Sequence, residues 1–215
     1  MGFQCASRIC IRQIHSVTIK VMMERLKQAL SQHPKRRIND RSLIPSAVLI
    51  PIYYKDGQYH ILFIQRTDRV KVHKGQISFP GGACEPSDGT AANAALRECT
   101  EEVGVAAESV ELLGELDDFF TIGSGYIVTP FVGLVPWPYP FKPDGHETEE
   151  LIEVPISALR DKNCLRQEKE IVDGEEVPTY FYHYQGKVIW GATARILNQF
   201  LEIWAGVMKE GGETA

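Results

Sequence analysis

Three glutamates lie close together in one short segment of the chain. Glu98, Glu101 and Glu102 are spaced i, i+3 and i+4, so a helix would present all three carboxylates on one face. Like charges at this spacing repel each other, and such a face needs either solvent screening or a bound cation. Hard divalent cations such as Mg²⁺ and Mn²⁺ bind oxygen ligands and keep positions open for substrate phosphates. The spacing therefore predicts either a divalent-metal site or a solvated acidic helix face.

Two neighbouring features fit the metal site. Gly81 and Gly82 form a segment without side chains ahead of the glutamates, and such a segment lets the backbone approach a metal ion or a phosphate closely. Arg97 is four residues before Glu101, so a helix would place its guanidinium where it could orient that carboxylate. The alternative for the acidic residues remains an exposed, solvated helix face.

The elements that must position these residues can be predicted from local patterns. A helix is expected from Ala91 to Val103, with Gly104 at the place of a left-handed C-terminal cap. Upstream, residues Ser46 to Tyr54 and Tyr59 to Arg66 are rich in aliphatic and aromatic side chains and are separated by Lys55-Asp56-Gly57-Gln58. This pattern predicts a β-hairpin leading into the glycine segment.

The rest of the chain adds strands and two longer helices. Further strands are predicted at Val110–Phe120, Tyr126–Val135 and Thr179–Tyr184, helices at Val21–Ser31 and Trp190–Met208, a strand end turning into a short helix at Val154–Leu159, and a proline-rich loop at Pro136–Glu150. Trp190 and Trp204 are interpreted as core residues of the last helix. Contiguous strands with three main helices predict an α+β fold with a mixed β-sheet.

Composition narrows the class of protein. The 215 residues are 44% hydrophobic and 24% charged, which is typical of one soluble globular domain. The net charge of -5 and the scattered Lys and Arg residues argue against a nucleic-acid partner. No apolar run reaches the roughly 18 to 20 residues of a membrane-spanning helix. Five scattered cysteines without a C-x-x-C pair or zinc-like spacing predict reduced thiols and a cytoplasmic location.

The N-terminal segment differs from the rest of the chain. Residues 1–23 contain no acidic residue but include Arg8, Arg12 and Lys20, a pattern that an organelle transit peptide can also show. Two other hypotheses are a disordered, loosely attached tail and a start assigned upstream of Met22 or Met23. We expect residues 1–23 to be an extension and residues 24–210 to be the folded domain.

The helix segment resembles a known motif. Arg97-Glu98-Cys99-Thr100-Glu101-Glu102-Val103-Gly104-Val105 resembles the second half of the Nudix box, R-E-U-x-E-E-x-G-U, with Cys99 in an aliphatic slot. The first half departs from the family pattern, which sets a glycine fourteen positions before the arginine, because Gly82 precedes Arg97 by fifteen. Asp88 also stands where the pattern has a glutamate. A one-residue insertion between Asp88 and Arg97 would reconcile both differences, and the role of Asp88 stays open.

These departures resemble the branch of the Nudix family that hydrolyses coenzyme A. That branch has an aspartate in the same slot, the same spacing and an upstream signature L-L-T-x-R-S followed by G-x-x-x-F-P-G-G. The similar residues here are Leu62–Thr67, Gly75–Gly82 and the late segment Ile189–Ala194, with departures at Phe63, Ile64 and Thr67. The resemblance covers most of residues 46–200.

The resemblance implies a Nudix α/β/α sandwich, with a mixed β-sheet between helices, that carries out Mg²⁺- or Mn²⁺-dependent hydrolysis. For coenzyme A or its derivatives, the diphosphate would be cut to give 3′,5′-ADP and 4′-phosphopantetheine. Two alternatives remain: a Nudix hydrolase of ADP-ribose, dinucleotides or nucleotide-sugars, and a Nudix-fold binding or regulatory module without catalysis. The intact Arg97, Glu98, Glu101 and Glu102 argue against the inactive module. The wider family commonly forms homodimers, so a homodimer is one option.

The resemblance also implies roles for individual residues. Glu98 and Glu102 would be metal ligands, Glu101 a third ligand with a catalytic role, and the Gly81 carbonyl a fourth. Activation of water would require a carboxylate outside the motif. Glu147 lies six residues before Glu153-Val154-Pro155, where the branch usually has a glutamate, and Glu150 is the second choice. An exposed acidic loop is the alternative for both.

Substrate contacts are expected before and within the glycine segment. Arg66, Arg69 and the backbone of Gly81 and Gly82 could bind the phosphates of a small-molecule substrate, since arginine forms bidentate contacts with phosphate. Three nearby residues could also contact the substrate: Lys71, His73 and Lys74. The alternative is a solvated surface position for the two lysines and a hydrogen bond to a loop carbonyl for the histidine. The aromatic residues of the proline-rich loop could stack an adenine or form a packed loop edge; they are Trp137, Tyr139 and Phe141.

Overall fold

A computed structural model describes residues 19–69, 74–121, 125–172 and 175–210. The helices are α1 (residues 19–32), α2 (Ala91–Val103), α3 (Ile156–Leu159) and α4 (Gly191–Glu210). The strands are β1 (Ile44–Lys55), β2 (Gln58–Arg66), β3 (Ile77–Ser78), β4 (Gly81–Ala83), β5 (Glu111–Glu115), β6 (Phe119–Phe120), β7 (Tyr126–Leu134), β8 (Thr148–Pro155), β9 (Leu165–Val172), β10 (Glu175–Tyr184) and β11 (Lys187–Ile189). The bounds of α2 agree with the sequence prediction.

The larger sheet is mixed, as predicted. Its main path runs β3-β2-β1-β7-β5, with β4 paired to β1, β6 to β7 and β8 to β2. The central pair, β1 and β7, is parallel from Ile44 opposite Tyr126 to Ile52 opposite Leu134. The other pairs are antiparallel. The central strand β1 therefore positions both the hairpin partner β2 and the glycine strand β4.

The predicted hairpin between β1 and β2 is present. Asp56 has φ 50° and Gly57 has φ 85°, so both turn residues are left-handed, as a two-residue type I′ turn requires. The pairing continues from Lys55 opposite Gln58 to Ile52 opposite Ile61. This turn fixes the register of β2, whose last residue is one of the candidate site residues.

Helices cover both faces of the larger sheet, which confirms the sandwich. Alternate residues of β1 point to opposite faces. Leu49 and Tyr53 pack in a cluster with Cys99 of α2, whereas Ile50 packs in a separate cluster with the helices α1 and α4, through residues such as Leu26 and Phe200. Helix α2 therefore lies on the face of the sheet opposite α1 and α4, and its Glu98 and Glu102 lie beside β4.

A second, three-stranded antiparallel sheet has the order β11-β10-β9. The predicted strand at Thr179–Tyr184 is the C-terminal part of β10, whereas β9 and β11 were not predicted. Tyr182 of β10 is buried and donates a hydrogen bond from its hydroxyl to Asn198 Oδ1 of α4 at 3.0 Å. This contact attaches the small sheet to the last helix.

The N-terminal boundary needs a correction. Helix α1 covers residues 19–32, so residues 19–23 are part of a helix and not of an extension. Met22 and Met23 are buried and belong to the same core cluster as Leu26. Residues 1–18, with Arg8, Arg12, Cys5 and Cys10, lie outside the described residues, as do Lys71 and His73.

Two smaller predictions were wrong. Trp190 is 48% exposed and is not a core residue, whereas Trp204 is buried at 3% exposure as predicted. Residues 148–150, which were placed in the proline-rich loop, begin strand β8. Within the described ranges, no helix is long and apolar enough to cross a membrane.

Candidate active site

Helix α2 has a defined cap at each end, and these caps fix the positions of its acidic residues. At the N-terminus the Thr90 side chain accepts a hydrogen bond from the Asn93 N–H at 3.1 Å. At the C-terminus Gly104 has φ 75° and donates its N–H to the Thr100 carbonyl at 3.0 Å. The helix is therefore regular through the segment that carries the three glutamates.

The glycine strand β4 lies directly against two of these glutamates. The Gly81 N–H donates a hydrogen bond to Glu102 Oε2 at 2.9 Å. A Cβ atom at Gly82 would lie 2.6 Å from Glu98 Cδ, closer than real side-chain contacts allow. Strand β4 pairs with Ala47 and Val48 of β1. Glycine at position 82 thus leaves room for the Glu98 carboxylate, while glycine at position 81 lets β4 lie close to Ala47 and Val48 of β1.

Arg97 connects the acidic residues of this region. Its Nε and Nη2 donate to the two oxygens of Asp88 at 2.8 and 3.1 Å, which is a bidentate ion pair. Its Nη1 donates to Glu98 Oε1 at 2.9 Å and to Glu101 Oε2 at 3.2 Å. The hydrogen bonds from Arg97 hold the pKa of Asp88 below its usual range. Asp88, whose role the sequence left open, therefore holds the arginine that orients two glutamates.

Burial disfavours the ionised forms of Glu98 and Glu102, although each lies beside an arginine. The Glu102 side chain is only 5% exposed, and burial raises its pKa to about 8. Burial also raises the pKa of Glu98. Buried carboxylates ionise at neutral pH only when a cation or several hydrogen-bond donors compensate them. A bound cation would therefore stabilise the ionised forms of both carboxylates.

Arg66 brings the predicted loop glutamate into the same region. Its Nη2 donates to Glu147 Oε2 at 2.9 Å, and its Nη1 lies 3.4 Å from Glu102 Oε1. The Nε of Arg66 is buried and has no hydrogen-bond partner in the described part of the chain. The Glu147 side chain is 57% exposed, so it can reach solvent from this position.

Other predicted residues have different contacts or are exposed. Glu150 Oε2 accepts a hydrogen bond from Lys187 Nζ at 2.7 Å, and Glu150 is the ladder partner of Gln65, not of Arg66. Arg69 is exposed, and the contact that the structure gives it is from its backbone N–H to Thr67 Oγ1 at 3.3 Å. Lys74 is also exposed.

Residues 43–173, more than half of the chain, match the family model of the NUDIX domain. This chain belongs to the Nudix hydrolase family. The Nudix motif therefore corresponds to helix α2 with Arg97, Glu98, Glu101 and Glu102, and the family assignment agrees with the α+β architecture and mixed sheet described above.

Several Nudix proteins are similar to this one. The protein named "Uncharacterized Nudix hydrolase NudL" from Photorhabdus laumondii subsp. laumondii is 35% identical over 169 residues, covering 79% of this chain and 89% of the relative. The protein of the same name from Yersinia pestis (strain Pestoides F) is 36% identical over 157 residues, covering 73% of this chain and 78% of the relative. The crystal structure of a MutT/nudix family protein from Enterococcus faecalis aligns with a TM-score of 0.51 and 16% identity over 85% of this chain and 71% of that one. That likeness supports the Nudix fold alone.

The Nudix site fits a divalent cation by the chemistry of its donors. In the described part of the chain, no group of three or more His, Cys, Asp or Glu side chains is already arranged to hold a metal ion. The reason is visible in the contacts, because Arg97 binds Glu98 and Glu101 while Arg66 and the Gly81 N–H hold Glu102. Glu98 and Glu102 nevertheless offer oxygen donors beside β4. Burial raises the pKa of both carboxyl groups, so a bound cation would stabilise their ionised forms.

The aromatic residues of the proline-rich loop pack on the protein. The ring of Trp137 stacks on Tyr53 with centroids 5.3 Å apart, and Phe141 contacts the same tyrosine at 5.2 Å. Tyr139 accepts a hydrogen bond at its hydroxyl from the Ala106 N–H at 2.9 Å. These contacts agree with the packed loop edge, which was the alternative to adenine stacking.

Proposed function

We propose that this Nudix hydrolase cleaves the diphosphate of coenzyme A or its derivatives, giving 3′,5′-ADP and 4′-phosphopantetheine with Mg²⁺ or Mn²⁺. The observation that carries the proposal is the ion pair between Asp88 and Arg97. It joins the two residues on either side of the extra position in the motif, so the unusual spacing belongs to an intact site. An aspartate at this spacing is the feature that resembles the coenzyme A branch.

The metal would be held by residues of α2 and β4. We infer that Glu98 and Glu102 are ligands, that Glu101 is a third, and that the Gly81 carbonyl contributes a fourth oxygen. When bound, a divalent cation neutralises diphosphate charge and lowers the pKa of an attacking water. Arg97 donates hydrogen bonds to Glu98 and Glu101 and would thereby orient both carboxylates, and Asp88 in turn holds Arg97.

Arg66 is proposed to bind the substrate phosphates. Its guanidinium lies between the carboxylates of Glu102 and Glu147 and has one buried N–H without a partner in the described residues. Arginine can bind phosphate through two parallel hydrogen bonds. Arg69, which is exposed three residues later, is a second candidate for the 3′-phosphate, and Gly81 and Gly82 give the diphosphate close access to the backbone.

Glu147 is proposed as the general base that takes a proton from water. The Glu147 carboxylate is exposed to solvent yet lies beside Arg66, which also contacts the buried Glu102. A base must reach the water that it activates while remaining close to the charges that bind the substrate. Glu150, in contrast, pairs with Lys187, and this pairing favours Glu147 over the second choice.

We expect Glu147→Gln to lower kcat by about 10² to 10⁴-fold, the usual contribution of a general base, with little change in KM. Glu150→Gln removes an exposed ion pair with Lys187 and should change kcat by less than about threefold, because such pairs contribute about 0–1 kcal/mol. Steady-state kinetics of both variants with coenzyme A and Mg²⁺ compare the two glutamates directly. Full activity of the Glu147 variant would remove this residue as the base.

The substrate is identified by comparing candidate substrates in separate reactions. The protein is incubated with Mg²⁺ or Mn²⁺ and with coenzyme A, acyl-coenzyme A, ADP-ribose or dinucleotides, and the products are identified by mass. The proposal predicts 3′,5′-ADP from coenzyme A and a higher kcat/KM for coenzyme A or acyl-coenzyme A than for the others. A clear preference for ADP-ribose or a dinucleotide would contradict the substrate assignment. Absence of turnover with all of them would contradict the enzyme assignment.

A further inference from the structure

The segment that carries Glu147 is attached to the C-terminal end of α2. The Lys142 N–H donates to the Val103 carbonyl at 2.9 Å, and the Asp144 N–H donates to the Glu102 carbonyl at 3.3 Å. The last carbonyls of a helix have no partner within the helix, so these bonds satisfy two of them. The loop and the helix of the metal-site glutamates are therefore joined at Glu102 itself.

The Asp144 side chain organises the turn that follows. Its Oδ1 accepts the N–H groups of His146 at 3.2 Å, Glu147 at 3.2 Å and Thr148 at 2.8 Å, and its Oδ2 lies 3.2 Å from the Glu147 nitrogen. An aspartate that binds backbone N–H groups a few residues ahead stabilises a tight turn. One carboxylate thus fixes three consecutive peptide groups, and Glu147 is the middle one.

The other side of the same turn is fixed by the residue after β2. The Thr67 N–H donates to the Glu147 carbonyl at 2.8 Å, and the Thr67 hydroxyl donates to the His146 carbonyl at 2.8 Å. Thr148, the next residue, is fully buried at the start of β8. The backbone of Glu147 is held from both sides, whereas its side chain is free to face Arg66 and solvent.

We propose that Asp144 is a positioning residue that sets the Glu147 carboxylate at its working distance from Glu102. The inference rests on the proposed role of Glu147 as general base. The Asp144 side chain binds the backbone N–H groups of His146, Glu147 and Thr148, and its bond to Glu102 is from its own backbone N–H. Its effect on the reaction therefore passes through the Glu147 backbone. A misplacement of about 1 Å can cost about 10²-fold in rate.

The test measures Asp144→Ala, Asp144→Ser and Asp144→Asn in the wild-type protein and in the Glu147→Gln protein. In the wild-type background we expect Asp144→Ala to lower kcat by about 10- to 100-fold while KM changes by less than about twofold. Asp144→Asn retains Oδ1, which accepts three of the bonds, and should recover most of the activity. Asp144→Ser keeps one acceptor on a shorter side chain, so its kcat should lie between those of the alanine and asparagine variants. It replaces Asp144→Ala in the test if the alanine variant does not fold.

The Glu147→Gln background separates positioning from a general effect on folding. If Asp144 acts through Glu147, Asp144→Ala should change the residual kcat by less than about twofold once the base is gone, because coupled residues are not additive. Equal fold losses in the two backgrounds, or wild-type kcat in Asp144→Ala, would overturn the inference. Asp161→Ala is a matched control, since Asp161 accepts the Asn163 N–H at 2.8 Å in a turn after α3, and it should leave kcat unchanged.

Failure of the proposed function is distinguishable in the same experiment. It appears as absence of turnover in the wild-type protein or as full activity in the Glu147→Gln protein, before Asp144 is changed. Hydrogen exchange then tests the positioning independently of turnover. Asp144→Ala should speed exchange of the amides of His146, Glu147 and Thr148, and unchanged exchange there would overturn the inference.

Discussion

Glu102→Gln is expected to abolish hydrolysis, with a fall in kcat of about 10³-fold or more, beyond the 10- to 100-fold typical for partners in the outer shell of a metal. The Glu102 side chain is buried, receives the Gly81 N–H and is approached by Arg66. Glutamine has the same shape and keeps one acceptor oxygen, but it has no charge to hold a divalent cation. The loss should therefore come from the missing charge and not from altered packing.

The measurement is kcat for coenzyme A hydrolysis at saturating Mg²⁺, together with Tm of each protein without metal. We expect the Tm of Glu102→Gln to be equal to or above that of the wild-type protein, because the substitution removes the cost of burying a carboxylate. Glu108→Gln changes an exposed glutamate outside the site and should leave both values unchanged. Activity of Glu102→Gln within tenfold of wild type would contradict its role as a ligand.

Replacing the two glycines of β4 by alanine should have different effects, one on activity and the other on stability. A Cβ at Gly82 would meet the Glu98 carboxylate, which can move, so Gly82→Ala should displace this proposed ligand and lower kcat by about 10²-fold with little loss of stability. A Cβ at Gly81 would lie 2.6 Å from Val48 Cα, part of the central strand. Gly81→Ala should therefore cost about 3 kcal/mol, the upper end for overpacking.

Thermal unfolding and steady-state kinetics separate these two outcomes. For Gly81→Ala the expected fall in Tm is about 6–12 °C, since 1 kcal/mol corresponds to about 2–4 °C in a domain of this size. Gly206→Ala is the control. Gly206 lies in α4, and apart from the neighbouring helix backbone no atom lies within 4 Å of an added Cβ. Alanine there should leave activity unchanged and raise the free energy of unfolding by about 0.4–1 kcal/mol. A Gly82→Ala protein with wild-type kcat would show that Glu98 need not lie against β4.

Local patterns predicted the elements whose ends carry their own signals. Helix α2 begins after a capping threonine and ends before Gly104, and both signals are in the sequence. The β1–β2 hairpin was predicted because Asp56 and Gly57 favour the left-handed turn that the structure contains. Strand β9 was missed because its central residues, 166–170, are all charged or polar and exposed, so the strand carries no alternating hydrophobic signal.

Contacts between distant segments could not be predicted in the same way. The parallel pairing of β1 with β7 joins residues about 80 positions apart, and no local pattern specifies its register. The exposure of Trp190 has the same origin, because burial depends on which surface faces the residue and not on its type alone.

In the site, too, local spacing could be predicted whereas contacts between separate segments could not. Helical spacing placed Glu98 and Glu102 on one face, but the contact of Asp88 with Arg97 depends on the path of the loop between them. Asp144 was not singled out, although the signal was present: an aspartate followed by glycine, three residues before Glu147, is typical of a turn closed by its own side chain. Such turns are common, so the pattern alone gives no reason to connect Asp144 with chemistry.

A Mn²⁺ titration, followed by the paramagnetic resonance signal of the free ion, tests most directly whether the buried carboxylates beside β4 hold a divalent metal. Wild-type protein and Glu102→Gln are compared without substrate, with Glu108→Gln as the control. If Glu102 is a ligand, Glu102→Gln should bind Mn²⁺ at least about tenfold more weakly than wild type, while Glu108→Gln should bind as wild type does. Equal Mn²⁺ affinity in the wild-type and Glu102→Gln proteins would show that Glu102 does not hold the metal.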